Sequence, residues 1–185
     1  MTPSDRRTPR RRAFAALLAV SALALPLAAC GDEEPETDVP EGEPLELGEM
    51  AFDVQISRFL NPDAPDDAEY LEGAPPLQAG EQYFGVFMEI TNEGEEANVV
   101  PTPFKIVDTR GNVFVQEELD NPFALEAGAP IEPDETVPGP ETPSANGPIE
   151  GALVLFALEE TAVEDRPLKL EVPGPDGVGE IELDL

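Results

Sequence analysis

The sequence predicts an all-β domain, an antiparallel β-sandwich of about seven or eight strands over residues 50–185. Short apolar segments with a two-residue period recur along this part of the chain, and turn-forming residues separate them. The 22 prolines and 15 glycines favour many short elements joined by turns over a helical bundle. The hydrophobic content of 41% is enough to build a core. A signal helix and a disordered acidic tether are expected to precede this domain.

The first 30 residues have the order of a secretory signal. A basic segment with five arginines is followed by Ala13–Leu25, an apolar stretch too short to span a bilayer comfortably. Leu27-Ala28-Ala29-Cys30-Gly31 then resembles the lipobox of bacterial lipoproteins. This resemblance implies a signal peptide over residues 1–29, cleavage before Cys30, and a diacylglyceryl group on the Cys30 thiol that anchors the chain in the bilayer. The alternative is an ordinary cleaved signal with a chance cysteine.

The export route has two interpretations. Arg11-Arg12-Ala13-Phe14 resembles the twin-arginine export motif, and the same residues fit the plain basic segment of the general secretory route. Both routes predict that the chain is held on the outer face of the cell membrane.

Residues 30–49 are predicted to be the lipidated cysteine and a disordered acidic linker. Residues 31–49 contain nine acidic residues, three prolines and almost no large apolar groups. Such a composition buries too little apolar surface to offset the entropy lost on ordering. Nineteen flexible residues would span about 25 Å root mean square and hold the folded domain away from the membrane.

The first strand of the domain is expected over Met50–Phe59, where Phe52, Val54 and Ile56 alternate with polar residues and form one buried face. The strand over residues 82–91 has apolar groups on both faces at its start. This pattern is typical of a central strand that is covered on both sides.

The later elements are shorter and are joined by turns. They are predicted as a return strand at 97–100, a hairpin with strands at 104–108 and 113–116, an irregular excursion at 121–148, a buried strand at 151–158, a helical turn at 159–166, and two final strands at 168–172 and 181–185. The hairpin rests on Thr109-Arg110-Gly111-Asn112, because glycine and asparagine accept positive φ angles.

Three motifs in this order resemble a known family. They are Glu89-Ile90-Thr91-Asn92, Phe104-x-Ile106-x-Asp108-x-x-Gly111-x-x-Phe114, and Gly151 leading to Phe156. Over about residues 50–185 the chain resembles the telokin-like, immunoglobulin-fold domain of unknown function found in bacterial lipoproteins. The resemblance implies an immunoglobulin-like sandwich and supplies no catalytic residues. That family usually has a proline soon after the late apolar strand, where this chain has Leu158-Glu159-Glu160.

Charge is the strongest compositional signal. The chain has a formal net charge of −30, and the residues after position 29 carry 39 acidic and 5 basic side chains. Such a surface repels nucleic acid and anionic lipid headgroups, so neither is an expected partner. We expect a solvated and highly soluble surface, with binding of a cationic ligand as the alternative.

The residue types available exclude most catalytic chemistry. Histidine and tryptophan are absent and Cys30 is the only cysteine, so the sequence predicts no disulfide and no histidine or cysteine metal site. Ser57 and Ser144 are the only serines beyond the signal, and neither has a histidine to activate it. Carboxylate pairs arise by chance among 39 acidic residues and do not indicate a glycosidase. The chain is therefore predicted to be no enzyme and to need no cofactor.

The loop over residues 61–80 is the candidate for a metal site. Asp63, Asp66, Asp67 and Glu69 supply hard oxygen ligands of the kind that calcium takes. Their spacing does not match the EF-hand pattern, so a solvated acidic loop is the favoured interpretation. Copper is not expected, because soft ligands are scarce in this chain.

Tyr83 and Phe87 lie on the second face of the strand at 82–91. An exposed aromatic binding stripe is one interpretation of this pair. Aromatic residues at strand spacing are more often part of a core, and core packing is the prediction here.

These inferences predict a membrane-anchored lipoprotein that acts as a non-catalytic protein-interaction module of the cell envelope. Its partners would be the bilayer, through Cys30, and another exported or membrane protein. The alternative is binding of a small ligand or a cation such as calcium, with the loops at 61–80 and 121–148 as contact regions. An interaction module should leave an exposed apolar patch or an unprotected strand edge, and a ligand binder should show a concave pocket.

Overall fold

The structure of the chain is a computed structural model that describes residues 35–175 and 177–184. The predicted signal peptide and the predicted lipobox with Cys30 lie outside the described residues. Within the described residues, no helix has both the length and the apolar character needed to cross a lipid bilayer.

The described part of the chain is built mainly from strands, with two helices of one turn and one 3-10 helix at Glu160–Glu164. In chain order the elements are β1 (Val39–Pro40), β2 (Leu45–Leu47), β3 (Met50–Leu60), α1 (Pro65–Ala68), β4 (Glu81–Asn92), β5 (Asn98–Val99), β6 (Lys105–Val107), β7 (Val113–Val115), β8 (Pro130–Ile131), β9 (Thr136–Val137), α2 (Pro143–Asn146), β10 (Ala152–Glu159), β11 (Leu168–Pro173) and β12 (Val178–Leu183).

Two sheets form the sandwich that the sequence predicts. Sheet A has the strand order β1-β12-β11-β6-β7, and sheet B has the order β10-β4-β3-β2 with β9 added to β4. Within both sheets the strand pairs are antiparallel, except for β1, which runs parallel to β12. Strands β5 and β8 form a separate antiparallel pair. The all-β sandwich class is therefore confirmed.

The core lies between the two sheets. Along β4, Phe84, Val86, Met88 and Ile90 are fully buried at two-residue spacing. They belong to one cluster with the inward side chains of sheet A, which are Ile106, Leu168, Leu170, Val172, Ile181 and Leu183. The two-residue period of the sequence places these side chains on the inner faces, and their burial is the main source of stability.

The alternation predicted for the first strand is broken at one point. A β-bulge shifts the register of β3 against β4 between Val54 and Ile56. Ile56 therefore pairs with Phe87 and turns to the outer face of sheet B, where it is 38% exposed. The prediction that Ile56 shares the buried face of Phe52 and Val54 is wrong, because the bulge inserts one extra residue into the strand.

The predicted disordered linker is wrong for residues 39–47. Leu45 is fully buried and Leu47 is nearly so, and both pack in the core between the sheets. Their strand, β2, pairs with β3, and the preceding strand, β1, pairs with β12. Acidic composition did not prevent ordering, because two alternating leucines supply the apolar surface and two open strand edges accept the backbone.

The predicted irregular segments contain more order than expected. The loop at 61–80 contains α1, and the excursion at 121–148 contains β8, β9 and α2. The remaining predicted strands are present with bounds close to those expected, and the helical turn predicted at 159–166 is the 3-10 helix.

Candidate functional site

The two long loops, at 61–80 and 119–149, cover much of the outer face of sheet B. A second apolar cluster lies there, separate from the core between the sheets, and contains the buried residues Leu60, Tyr70, Tyr83, Phe87, Leu153 and Leu155. Loop residues that pack against it are Leu71, Ala74, Leu77, Leu119, Phe123 and Ile149. The prediction that Tyr83 and Phe87 are core residues is confirmed.

Specific contacts hold the covering loops in place. The Tyr83 hydroxyl donates to the Pro75 carbonyl oxygen at 2.5 Å. The Tyr70 ring meets Phe87 and Phe123 edge to face, with centroid distances of 5.2 and 4.7 Å. The Asn121 side-chain amide donates to the Tyr70 carbonyl oxygen at 2.9 Å and so ties the second loop to the first.

Asp67 anchors the first loop to sheet B. Its carboxylate accepts from the Arg58 guanidinium and from the Asn61 main-chain N–H, the latter at 2.8 Å. The Asp67 side chain is 8% exposed and the Arg58 side chain is 35% exposed, so the ion pair is partly shielded from solvent. This pair gives a buried carboxylate the partners it needs.

The four candidate calcium ligands do not converge. Asp67 is buried and is engaged by Arg58, whereas Asp63, Asp66 and Glu69 are exposed. Among residues 35–175 and 177–184, no three acidic, histidine or cysteine side chains form a group that could hold a metal ion. The structure therefore places the predicted set in one loop without assembling it into a ligand cluster.

Both serines of the domain are used in structural contacts. The Ser57 hydroxyl donates to the Glu41 carboxylate at 2.5 Å, and that carboxylate also accepts from the Ser57 and Asp184 main-chain N–H groups. The Ser144 hydroxyl donates to the Pro122 carbonyl oxygen at 3.0 Å. Glu41 thereby joins the edge of β3 in sheet B to the end of β12 in sheet A.

On the outer face of sheet A, the part formed by β7 is exposed and has no such cover among the residues that the structure describes. Val113 and Val115 on β7 are 53% and 49% exposed. The register places Val113 opposite Val107 and Val115 opposite Lys105 on β6. We call the hairpin formed by β6, β7 and their turn the β6–β7 hairpin. It presents exposed apolar side chains next to a basic residue.

The edge of β7 that faces away from β6 is unpaired. The Asp108 N–H donates to the Asn112 carbonyl, and the Gln116 N–H donates to the Phe104 carbonyl. Hydrogen-bonded pairs recur at every second residue of an antiparallel ladder. Phe114 is therefore the residue of β7 whose main chain is hydrogen-bonded to β6. The N–H and C=O groups of Val113 and Val115 therefore point away from β6, and the described part of the chain supplies no hydrogen-bond partner for them.

The turn of this hairpin is held rigidly. Asp108 accepts from the N–H groups of Arg110 and Asn112 at 2.9 and 2.8 Å, and Gly111 takes the positive φ that the sequence predicts. Burial raises the pKa of Asp108. The hydrogen bonds from Asn112 and from the main chain of the turn lower that pKa by more than burial raises it, so its net value is below the ordinary one. The Arg110 Nε lies 2.8 Å from an Asp165 carboxylate oxygen.

Basic side chains are concentrated on sheet A and its loops. Of the five beyond residue 29, only Arg58 lies in sheet B. Lys169 bridges Asp38 and Glu180 at 2.5 and 2.7 Å, and these hydrogen bonds raise the pKa of Lys169 well above its ordinary value. Lys105, in contrast, makes no ion pair with any residue that the structure describes.

An acidic concave surface is formed by the N-terminal segment. An open groove of about 590 Å³ lies along it, lined by Glu36, Asp38, Val39, Pro40, Glu43, Pro44 and Glu46. Its carboxylates favour a cationic ligand, although Asp38 already pairs with Lys169. This groove lies apart from the two loops that the sequence indicated as ligand contacts.

No family model matches the sequence, and no curated protein matches it. Solved structures that are similar include an uncharacterized β-sandwich protein from Clostridium difficile 630, with 14% identity, a TM-score of 0.47, and coverage of 82% of this chain and 98% of that chain. The yjhA protein from Bacillus subtilis has 10% identity, a TM-score of 0.48, and coverage of 79% and 99%. A functionally unknown protein from Listeria monocytogenes EGD-e has 10% identity, a TM-score of 0.46, and coverage of 75% and 74%. At these identities the likeness concerns the fold alone.

Proposed function

We propose that this chain is a lipid-anchored protein on the outer face of the cell membrane, and that its sandwich binds another exported or membrane protein through the β6–β7 hairpin. The unpaired edge of β7, with two exposed valines, is the observation that carries the binding role. The lipobox at Leu27–Cys30 carries the location.

Two other strand edges are covered, and this supports the choice of β7 as the docking edge. The edge of β10 is covered by the segment after β7, because the N–H of Glu117 donates to Leu155 and the N–H of Leu153 donates to Phe123. The edge of β12 is covered by β1. With these two edges covered, the short unpaired edge of β7 and its exposed apolar side chains offer a site for strand addition.

The ordered N-terminal segment changes the expected reach of the anchor. The carbonyl of Glu36 already accepts from the N–H of Glu180, so only residues 31–35 separate Cys30 from the sandwich. Six residue steps extend to about 21 Å at most. A lipidated Cys30 would therefore keep the domain close to the membrane, in place of the distant tether that composition predicted.

The same segment meets one end of sheet A. Gly177 lies against Pro35, where an added Cβ would come within 2.5 Å of the proline ring. The β6–β7 turn lies at the other end of sheet A, since Val107 pairs with Lys169 near the start of β11.

Two measurements in intact cells test this proposal. Growth with an alkyne-tagged fatty acid should label the full-length chain and leave the Cys30→Ala variant unlabelled. A photo-crosslinking residue at position 113 should capture one dominant exported or membrane protein, and the same residue at the equally exposed Val178 should capture much less. Absence of label on the unaltered chain would refute the anchor, and equal capture from both positions would refute the docking role of the hairpin.

A further inference from the structure

We propose that the occupant of β7 is an extended segment of another protein in which acidic residues alternate with apolar ones. This inference rests on the proposed function, because it names the partner chemistry of the same edge. The main-chain groups of Val113 and Val115 offer two N–H donors and two C=O acceptors on one side of the strand. An incoming strand satisfies such groups by main-chain pairing.

The inner side of the edge favours apolar residues. Phe114 is partly buried and packs against the core between the sheets. A strand added beside β7 would direct alternate side chains to this same side, next to the uncovered part of the Phe114 ring. Apolar side chains at those positions would extend the core, whereas charged ones would be desolvated without a partner.

The outer side favours acidic residues. Lys105 lies directly across β6–β7 from Val115 and makes no ion pair with the described residues, although Glu171 is its neighbour in register on β11. Neighbouring strands are about 4.8 Å apart, so an added strand would lie about 9.6 Å from β6. Glutamate and lysine side chains together span that distance. Arg110 at the turn is already paired with Asp165, so Lys105 is the basic residue of the hairpin that is left for an acidic side chain.

The charge of the whole domain sharpens this preference. With 39 acidic and 5 basic residues beyond position 29, most of the surface repels an acidic segment. The β6–β7 hairpin carries two of those five basic residues. A basic segment, in contrast, would be attracted to many acidic sites and would gain no selectivity at β7.

The test uses the chain as the cell processes it, purified in nonionic detergent. The probes are fluorescently labelled eight-residue peptides in which valine alternates with glutamate or, as the matched control, with lysine. Fluorescence anisotropy measures their affinities at neutral pH and moderate salt. We expect the glutamate peptide to bind, and Lys105→Glu to weaken it at least tenfold. Val178→Thr, a change at a similarly exposed valine of sheet A, should leave its affinity unchanged.

A second variant separates edge pairing from a loss of folding. Val115→Pro removes an N–H that β6 does not use, so the β6–β7 ladder should persist while the peptide affinity falls at least tenfold. An unchanged affinity in Val115→Pro and Lys105→Glu would overturn the proposal, as would tighter binding of the lysine peptide to the hairpin.

The outcomes also distinguish this inference from the proposed function. Peptide binding at β7 without fatty-acid labelling of Cys30 would leave the inference standing and refute the anchor. Crosslinking from position 113 in cells, with no binding of the glutamate peptide, would keep the docking role and refute the acidic segment. Sedimentation would show whether the chain self-associates. If it does, and if Lys105→Glu abolishes the association, the occupant of β7 is a second copy of this chain, and the proposal of a separate partner protein is overturned.

Discussion

The outer faces of the two sheets differ in how much of their apolar surface is covered by other parts of the chain. Much of the outer face of sheet B lies under the loops at 61–80 and 119–149, which form a second apolar cluster on it, although Ile56 on the same face stays 38% exposed. The outer face of sheet A keeps Val113 and Val115 in solvent and leaves the edge of β7 unpaired. The two loops therefore contribute to packing, and the β6–β7 hairpin is the surface that we propose for recognition.

The largest expected effect on stability comes from comparing one residue on the outer face of each sheet. Phe87→Ala removes a fully buried ring from the cluster on sheet B and should lower the free energy of unfolding by about 3–5 kcal/mol. Val113→Ala, on the outer face of sheet A, should change it by less than about 0.5 kcal/mol. Urea denaturation measures both values. Similar losses in the two variants would mean that the two outer faces are covered alike.

The next effect tests the strand edges covered by the N-terminal segment. Leu45→Ala should cost about 2–4 kcal/mol, because Leu45 is fully buried in the core. Glu46→Ala, at the exposed position next to it, is the control and should be nearly neutral. If Leu45→Ala were as neutral as its control, the segment would be a tether in solution, as composition alone suggested.

A smaller effect tests the anchor of the covering loop. Asp67→Asn removes the charge that pairs with Arg58 and should cost about 1–3 kcal/mol in urea denaturation. Asp66→Asn is exposed and should not change stability measurably. Limited proteolysis should also cut the loop at 61–80 faster in the Asp67 variant alone. Equal behaviour of the two variants would show that the ion pair does not hold the loop.

The smallest effect concerns Glu89, on the outer side of β4. Burial raises the pKa of Glu89, and the carboxylates of Asp53 and Glu150 raise it further. The folded state therefore holds this proton more tightly than the unfolded state, and stability falls as pH rises through the range between the two pKa values. Glu89→Gln should raise the melting temperature by less than about 3 °C at neutral pH.

The pH dependence provides the check on that prediction. The gain from Glu89→Gln should shrink as the pH falls through the unfolded-state pKa of about 4.3 and should vanish about one unit below it, where the carboxyl is protonated in both states. Thermal melts of both proteins across this range measure it. A gain that persisted at low pH would assign the effect to packing of the amide and not to the raised pKa.

Local patterns predicted the long strands because burial on one face leaves a two-residue period in the sequence. Met50–Leu60, Glu81–Asn92 and Ala152–Glu159 were each predicted to within two residues. The N-terminal strands were missed because the composition of residues 31–49 was averaged over the whole segment. The pair Leu45 and Leu47, followed by Gly48, was the available signal for a strand and turn.

Features set by the tertiary fold could not be predicted. β9 has two residues and exists because Thr136 and Val137 meet β4, so no local period marks it. β7 has an unpaired edge because it is the last strand in the order of sheet A. The residues Val113–Val115 carry no local signal of that strand order. Apolar residues at three consecutive positions would by themselves indicate a strand covered on both faces, whereas Val113 and Val115 are exposed.

Amide hydrogen exchange of residues 31–185, followed by NMR, tests most directly whether β7 is an open edge. The Phe114 amide, which pairs with β6, should exchange at least about tenfold more slowly than the amides of Val113 and Val115. The amide of Phe87, in the middle of sheet B, should be among the most protected. Protection of Val113 and Val115 equal to that of Phe114 would show that this edge is already covered and that β7 is not an open edge.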